Sequence, residues 1–349
     1  MKPFTVSNPH PAVTLKQIAE AAGVSLACVS YALRGHGKIP AATRTRVRAV
    51  AEQLGYRPNP RVASLMAHIR RGHAQPEGER IAFVWVHTTR SQAQRVPFLR
   101  QSSLGARRRA SQMGFGLEKF WTNDPGLSAP RLAEILRTRG IVGVVLSPIT
   151  TGESALNLDW DWRHFAAAVI GSVTWTPELH HAGHHHYLGM RLALGELVQL
   201  GRTRPVALIE AKTSERAKHA WEAAFLTFAG DVRQAADRVR LVADPADPTL
   251  AAWVESRRPD VLIVSETTLL GAPGLAALLK RKKIPAVTLY WSKSTPRGIG
   301  GVDQCYDRIA AHAVDLVVSQ LNSNEFGVPD LPRILLLPGR WVAPRLPRP

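Results

Sequence analysis

Five histidines fall within seven residues, His180-His181-Ala182-Gly183-His184-His185-His186, the densest group of side chains able to hold a metal or move a proton. On a helix, His180 with His184, or His181 with His185, would present two imidazoles on one face, a metal-pair spacing. Gly183 argues against a helix, and neither a carboxylate nor a cysteine lies within the cluster. The expectation is a solvent-exposed polar loop before a helix at Tyr187, with no metal bound; a metal-responsive role is the alternative. Asp159 and Asp161, in Asp-Trp-Asp-Trp, resemble a carboxylate pair for acid–base work. Alternate residues of a strand, however, point to opposite faces. No phosphate-binding loop, Gly-x-Ser-x-Gly elbow or Gly-x-Gly-x-x-Gly after a strand occurs, and Gly298-Ile-Gly-Gly301 is loop glycine. No catalytic residue and no cofactor follow from these patterns, and an enzyme is not expected.

Charge points elsewhere. Among 349 residues, 45 Lys and Arg face 27 Asp and Glu, a net +18, and such an excess calls for a polyanionic partner. Residues 1–75 hold 11 of the basic residues against only Glu20 and Glu52, so +9 of the excess lies in about a fifth of the chain. The composition, 45% hydrophobic and 21% charged, supports cores for about two domains. Cys28 and Cys305 lie far apart, which excludes a disulfide scaffold and fits a reducing compartment. No run approaches a membrane span, and the first residues lack an apolar signal core, so a cytoplasmic protein without a membrane partner is expected.

The elements of the basic segment are legible. Thr14 and Gln17 form a capping box ahead of Leu15, Ile18, Ala19 and Ala22, which share a helical face. Gly23 stops that helix, Val24 plugs the turn, and Ser25 caps a second helix running to Leu33. Val29 and Leu33 face inward there, leaving Leu26, Ala27, Ser30 and Tyr31 outward. A third helix spans about 41–54, with Val47, Val50, Ala51 and Leu54 as its buried stripe and Gly55 closing it. Two short helices joined by Ala-Gly-Val-Ser and braced by a third form a helix-turn-helix, whose second helix enters the major groove. Asn59 and Pro60 then open a short basic helix ending near Arg71, on which Leu65 is suited to wedge between base steps in a minor groove. Gly72–Glu79 reads as a linker.

The stretch VTLKQIAEAAGVSLACVSYALRGHGKIPAATRTRVRAVAEQLGYRPNP, continued through Leu65, resembles the headpiece of the LacI/GalR family of bacterial transcription regulators. The resemblance continues more loosely to the end, where GGVDQCYDRIAAHAVDLVVSQLNSNEFGVPDLPRILLLPGRWV is similar to the family's C-terminal signature. It implies a homodimer on a near-palindromic double-stranded operator, with paired hinge helices each inserting a leucine. By that match Thr14 opens the DNA-binding unit, Leu65 is the wedge, Asn59 lies in the hinge turn, and Ser25, Ser30 and Thr43 face phosphates. Where the family often has a polar residue, Leu26-Ala27 stand here; Tyr31 replaces a frequent Arg, Cys28 a Thr, and Ala63 an Arg. Guanine reading by that Arg is lost, while Leu26 and Ala27 can meet a thymine methyl and Tyr31 can reach a base or phosphate.

From Arg80 onward short apolar runs alternate with helical stretches: 81–86, 117–120, 142–146, 167–170, 206–209, 240–242, 261–264 and 286–289, interleaved with 99–113, 130–139, 188–200 and 215–228. Eight strands predict two doubly wound parallel sheets with ligand at their carboxyl ends. The resemblance implies the same two-lobed, periplasmic-binding-protein-like α/β domain. The domain reading is 1–57 headpiece, 58–79 hinge helix and linker, and 80–349 effector-binding and dimerisation domain. Residues just after strands are cleft candidates: His87, Ser147, Trp175, Glu266, Trp291 and Gln304, with indole faces suited to a sugar. The family's effector-gripping Arg falls at Ala217, with Arg216 one place off, and its usual acid before the Tyr187 helix is His184. The expectation is a repressor controlled by a small effector, a sugar; the competing one is a constitutive, weakly specific DNA-binding protein with a non-functional sensor.

Overall fold

The computed structural model describes residues 14–33, 39–54, 56, 79–150, 155–228 and 232–345. Two compact units divide the chain, residues 1–75 and 76–349. Asn59, Leu65, Ala63 and Gly55 lie outside the described residues, as does the whole hinge stretch.

In the first unit, α1 (Leu15–Ala22), α2 (Leu26–Leu33) and α3 (Ala41–Gln53) close around Ile18, Ala19, Ala22, Val29, Ala32, Val47 and Ala51. The amide of Gln17 donates to Thr14 Oγ1, while the Gln17 side chain accepts from the Thr14 amide, so both ends of the capping box are made. Gly23 takes φ 65°, a left-handed geometry that admits glycine without strain. The expected stripe on α3 holds at Val47 and Ala51, but Val50 is half-buried and Leu54 is 40% exposed. Their spacing follows the helix, yet α1 and α2 are too short to cover its last turn.

The second unit contains β1 (Arg80–Trp85), β2 (Gly116–Trp121), β3 (Gly143–Leu146), β4 (Ala155–Asn157), β5 (Ala166–Ile170), β6 (Thr174–Thr176), β7 (His180–His184), β8 (Pro205–Glu210), β9 (Val239–Val242), β10 (Val261–Val264), β11 (Ala286–Thr288), β12 (Gly300–Asp303), β13 (Ile334–Leu337) and β14 (Arg340–Val342). One sheet runs β13-β7-β5-β3-β1-β2, all parallel; the other runs β14-β12-β11-β10-β8-β9, parallel except for β14. Both orders reverse next to the first strand of the sheet, which leaves a crevice at the carboxyl ends. The inner strands β1, β3, β8 and β10 are buried on both faces and read as near-continuous apolar runs.

Two expectations change. The histidine cluster is no exposed loop: residues 180–184 form β7, inside the first sheet, with His180 and His184 buried. Pairing to both β5 and β13 overrides the polar composition. The expected 215–228 helix is two helices, Ala211–Arg216 and Ala220–Phe228. Lys218 and His219 between them take φ 52° and 57°, and the His219 ring is held 3.1 Å from both Ser214 Oγ and Glu222 Oε1.

The chain crosses between the lobes three times: after β7 into the His186–Gln199 helix, after β12 into the Tyr306–Ser323 helix, and from β13 to β14. The crossings touch one another. A Cβ on Gly339 would stand 2.8 Å from the Asp303 carbonyl oxygen and 3.0 Å from the His184 ring, so only glycine fits.

Candidate functional site

On the first unit, the amide of Cys28 donates to Ser25 Oγ at 3.2 Å, which fixes the start of α2. α2 then presents Leu26, 53% exposed, and Tyr31, 44% exposed, to solvent, with Ser30 half-buried between them. Thr14 is exposed, Thr43 is half-buried on the first turn of α3, and Ala27 lies on α2, with its side chain outside the described set. Two large exposed apolar groups on a helix this short are an unusual outlay unless that face meets a partner.

On the second unit a cavity of about 220 Å³ opens between the lobes. It is reached by residues just past β3 (Pro148, Ile149), β5 (Gly171, Ser172), β10 (Glu266), β11 (Tyr290) and β12 (Gln304, Tyr306), and by Thr213 and Arg216 beyond β8. Phe98, Tyr290 and Tyr306 form an aromatic wall, their centroids 5.1 to 6.1 Å apart. Opposite them an Arg216 amine donates to Thr213 Oγ1 at 2.9 Å. Thr213 Oγ1 in turn meets Glu210, and Glu266 Oε1 at 3.3 Å. A hydroxyl has one proton, so it can satisfy only one of those carboxylates at a time. Burial and the neighbouring Glu210 charge push the Glu266 carboxyl above its ordinary range, against the pull of Arg216. Burial also raises the Tyr306 phenol to about 12, and that of Tyr290 further. This arrangement can bind neutral hydroxyl groups through paired donors and acceptors against aromatic faces.

Of the residues expected in the cleft, Arg216, Glu266 and Gln304 meet in this cavity. Gln304 spends its amide on the Leu289 carbonyl at 2.9 Å, and so braces the wall. Trp175 lines a second, adjoining cavity. Ser147 is buried and accepts from the Val86 amide, His87 is exposed beside Thr122, and the Trp291 indole donates to the Ile299 carbonyl; none of the three lines either cavity. Tyr290, one residue before Trp291, holds the inward place. Phe98, Ser172, His186, Thr213, Trp221, Tyr290 and Tyr306 were not anticipated; position just after a strand would have found Ser172 and Tyr290. Asp159 and Asp161 lie in a loop, where Asp161 pairs with Arg163, and Arg163 holds the Asp161 carboxyl down at about 2. Among the described residues no three His, Cys, Asp or Glu side chains are grouped to hold a metal ion.

Residues 14–59 match the model of the lacI family of bacterial regulatory proteins. That stretch is a DNA-binding segment of the lacI-family type. A LacI-family regulator from Pseudomonas plecoglossicida, HTH-type transcriptional regulator PtxS, is 49% identical over 63 residues, 18% of this chain and 18% of that protein. The chain thus matches under a fifth of the length of that curated relative. In fold, the chain is similar to the lac repressor dimer bound to operator and the anti-inducer ONPF, with 18% identity over 96% of this chain and 99% of that one, at a TM-score of 0.50. It is also similar to the transcriptional regulator CelR in complex with cellobiose, with 16% identity over 96% and 100%, at a TM-score of 0.52. A helix-turn-helix unit followed by a two-lobed α/β domain is therefore the fold of this chain. No described helix is long and apolar enough to cross a membrane.

Proposed function

We propose that this chain is a LacI-family DNA-binding transcriptional repressor that acts as a homodimer on a near-palindromic operator and is controlled by a small sugar-like effector. The observation that carries the DNA half is the capped α1–turn–α2 unit with Leu26 and Tyr31 outward, in the part of the chain that holds +9 of the +18 net charge. The excess Lys and Arg supply salt-sensitive affinity, and α2 reads the major groove. Asn59 and Leu65, outside the described residues, are assigned the hinge turn and the minor-groove wedge from the family resemblance alone.

Support for effector control comes from the cavity that both lobes share. A polyhydroxylated ligand there would bond Arg216 and Glu266 from one lobe and Ser172 from the other, favouring one angle between lobes. Such a ligand regulates only if it binds the DNA-competent and incompetent states unequally. The test is operator retention and intrinsic Trp fluorescence across a panel of neutral sugars, sugar acids and sugar phosphates, for wild type and Glu266→Gln. Release by one sugar in wild type, lost in the variant, supports the proposal; silence across the panel supports a constitutive DNA-binding protein.

A further inference from the structure

A second chamber of about 270 Å³ continues from the cleft, sharing Ser172, Val173, His186, Arg216 and Ala217 with it. Its chemistry differs from that of the cleft. His181, His184, His185 and His186 line it with Lys218 and Arg216, while Glu178 is its one carboxylate. Into this space opens the His186–Gln199 helix, 14 residues long, whose first amides have no carbonyl one turn back. His185 Nδ1 accepts from the Leu188 amide and serves as the cap.

Several donors here lack a partner. His184, 3% exposed, makes no well-formed hydrogen bond at either ring nitrogen, with only the Leu337 backbone near its ring; the Trp175 indole N–H, on a residue 4% exposed, has no partner; nor does His186 Nδ1. Such buried groups are costly unless something answers them. The His184 ring is also deliberately accommodated: a Cβ on Gly189 would lie 2.4 Å from its Nε2, and one on Gly339 3.0 Å from its Cε1. Two glycines keep the slot open for an imidazole.

We propose that this chamber binds an anionic group, a carboxylate or a phosphoryl group, carried by the same ligand whose hydroxyl-bearing part occupies the cleft. The second clause rests on the effector role proposed above; the anion site itself does not. Burial, with Arg216 and His185 alongside, holds the His186 imidazole down at about 4, and burial with His186 holds His184 well below its ordinary value. Burial and Lys218 lower His181 against the opposing pull of Glu178. All three are neutral near pH 7, so an anion that enters meets fixed charge only from Lys218 and Arg216. Its own charge then draws a proton onto an imidazole.

The experiment is calorimetric titration of the full chain with sodium acetate and with sodium sulfate, which keep their charge between about pH 6 and pH 8, at constant ionic strength and in two buffers of different ionisation enthalpy. Binding of one anion per chain with net proton uptake, tightening by up to about tenfold per pH unit on acidification, is expected. Acetate alone would mark a carboxylate site and sulfate alone a phosphoryl site. Lys218→Asn, which removes the charge at a left-handed position asparagine tolerates, should weaken binding up to about fivefold. His184→Gln should reduce the proton uptake; if that variant does not fold, Lys218→Asn still decides.

No binding of either anion, or binding without proton uptake and indifferent to Lys218→Asn, overturns the proposal. Operator release by a neutral sugar with no anion binding would overturn the anion site and leave effector control intact. Anion binding with no neutral sugar, sugar acid or sugar phosphate able to release DNA would support the site and remove effector control.

Discussion

His186 Nε2 lies 3.0 Å from Ser172 Oγ, a hydrogen bond that joins the helix opening the second lobe to the loop after β5 in the first. The same ring packs edge-on against Trp221 with centroids 4.7 Å apart, so movement between the lobes is felt by an indole. Ser172→Ala removes the bond without adding volume. It should cost about 1 kcal/mol of stability and shift the Trp221 emission of the ligand-free protein. Unchanged emission with unchanged stability would show that the contact does not hold the lobes.

Acid should destabilise the second unit. Folding keeps His180, His181, His184 and His186 neutral, each below its ordinary value, with burial as the largest cause. Unfolding lets them take up protons near 6.5, so the unfolded state binds more protons as pH falls. Stability present above about pH 6.5 is therefore lost on the way down to about pH 4. His186 alone contributes at most about 3 kcal/mol to that loss. Urea unfolding at a series of pH values checks it, and His186→Gln should flatten the slope.

The parts of this molecule that were legible in sequence are those where local chemistry and burial agree. Thr14, Gln17, Gly23 and Ser25 carry their own capping and turn signals, and all eight apolar runs became strands because both faces of each sheet are covered. β7 was not legible, because pairing on both edges buries a polar run that no periodicity marks. β12, β13 and β14 were missed for a related reason. They are short, and β13 and β14 pair with strands far away in sequence, β7 and β12, from which the crossings separate them. In the cleft, Glu266 and Gln304 were marked by their place just after a strand, and Arg216 by the family resemblance. Tyr290 lost to Trp291 because both lie in the turn beyond β11, whose course no periodicity marks.

Gly105 sits where the Pro97–Gln112 and Tyr306–Ser323 helices cross: a Cβ there would fall 2.0 Å from the Asp307 carbonyl oxygen. Gly105→Ala must push these helices apart, at a cost of about 1–3 kcal/mol or more. A fall in the thermal midpoint of the second unit checks this, and a neutral substitution would contradict the packing described.

Thr14→Ala removes the side-chain acceptor from the capping box and should destabilise the headpiece by about 1 kcal/mol. Because the capping box involves only residues of the first unit, the thermal midpoint of residues 76–349 should not move. Calorimetry that resolves the two transitions would separate these outcomes.

On the proposed function, α2 reads a specific DNA sequence. The most direct test is selection from a randomised duplex pool in about 150 mM salt, run with wild type, Leu26→Ala and Tyr31→Ala. A near-palindrome recovered by wild type, with enrichment reduced or altered at symmetric positions in the variants, is the predicted result. Salt-sensitive binding with no enriched motif, or a motif identical in all three proteins, would contradict it.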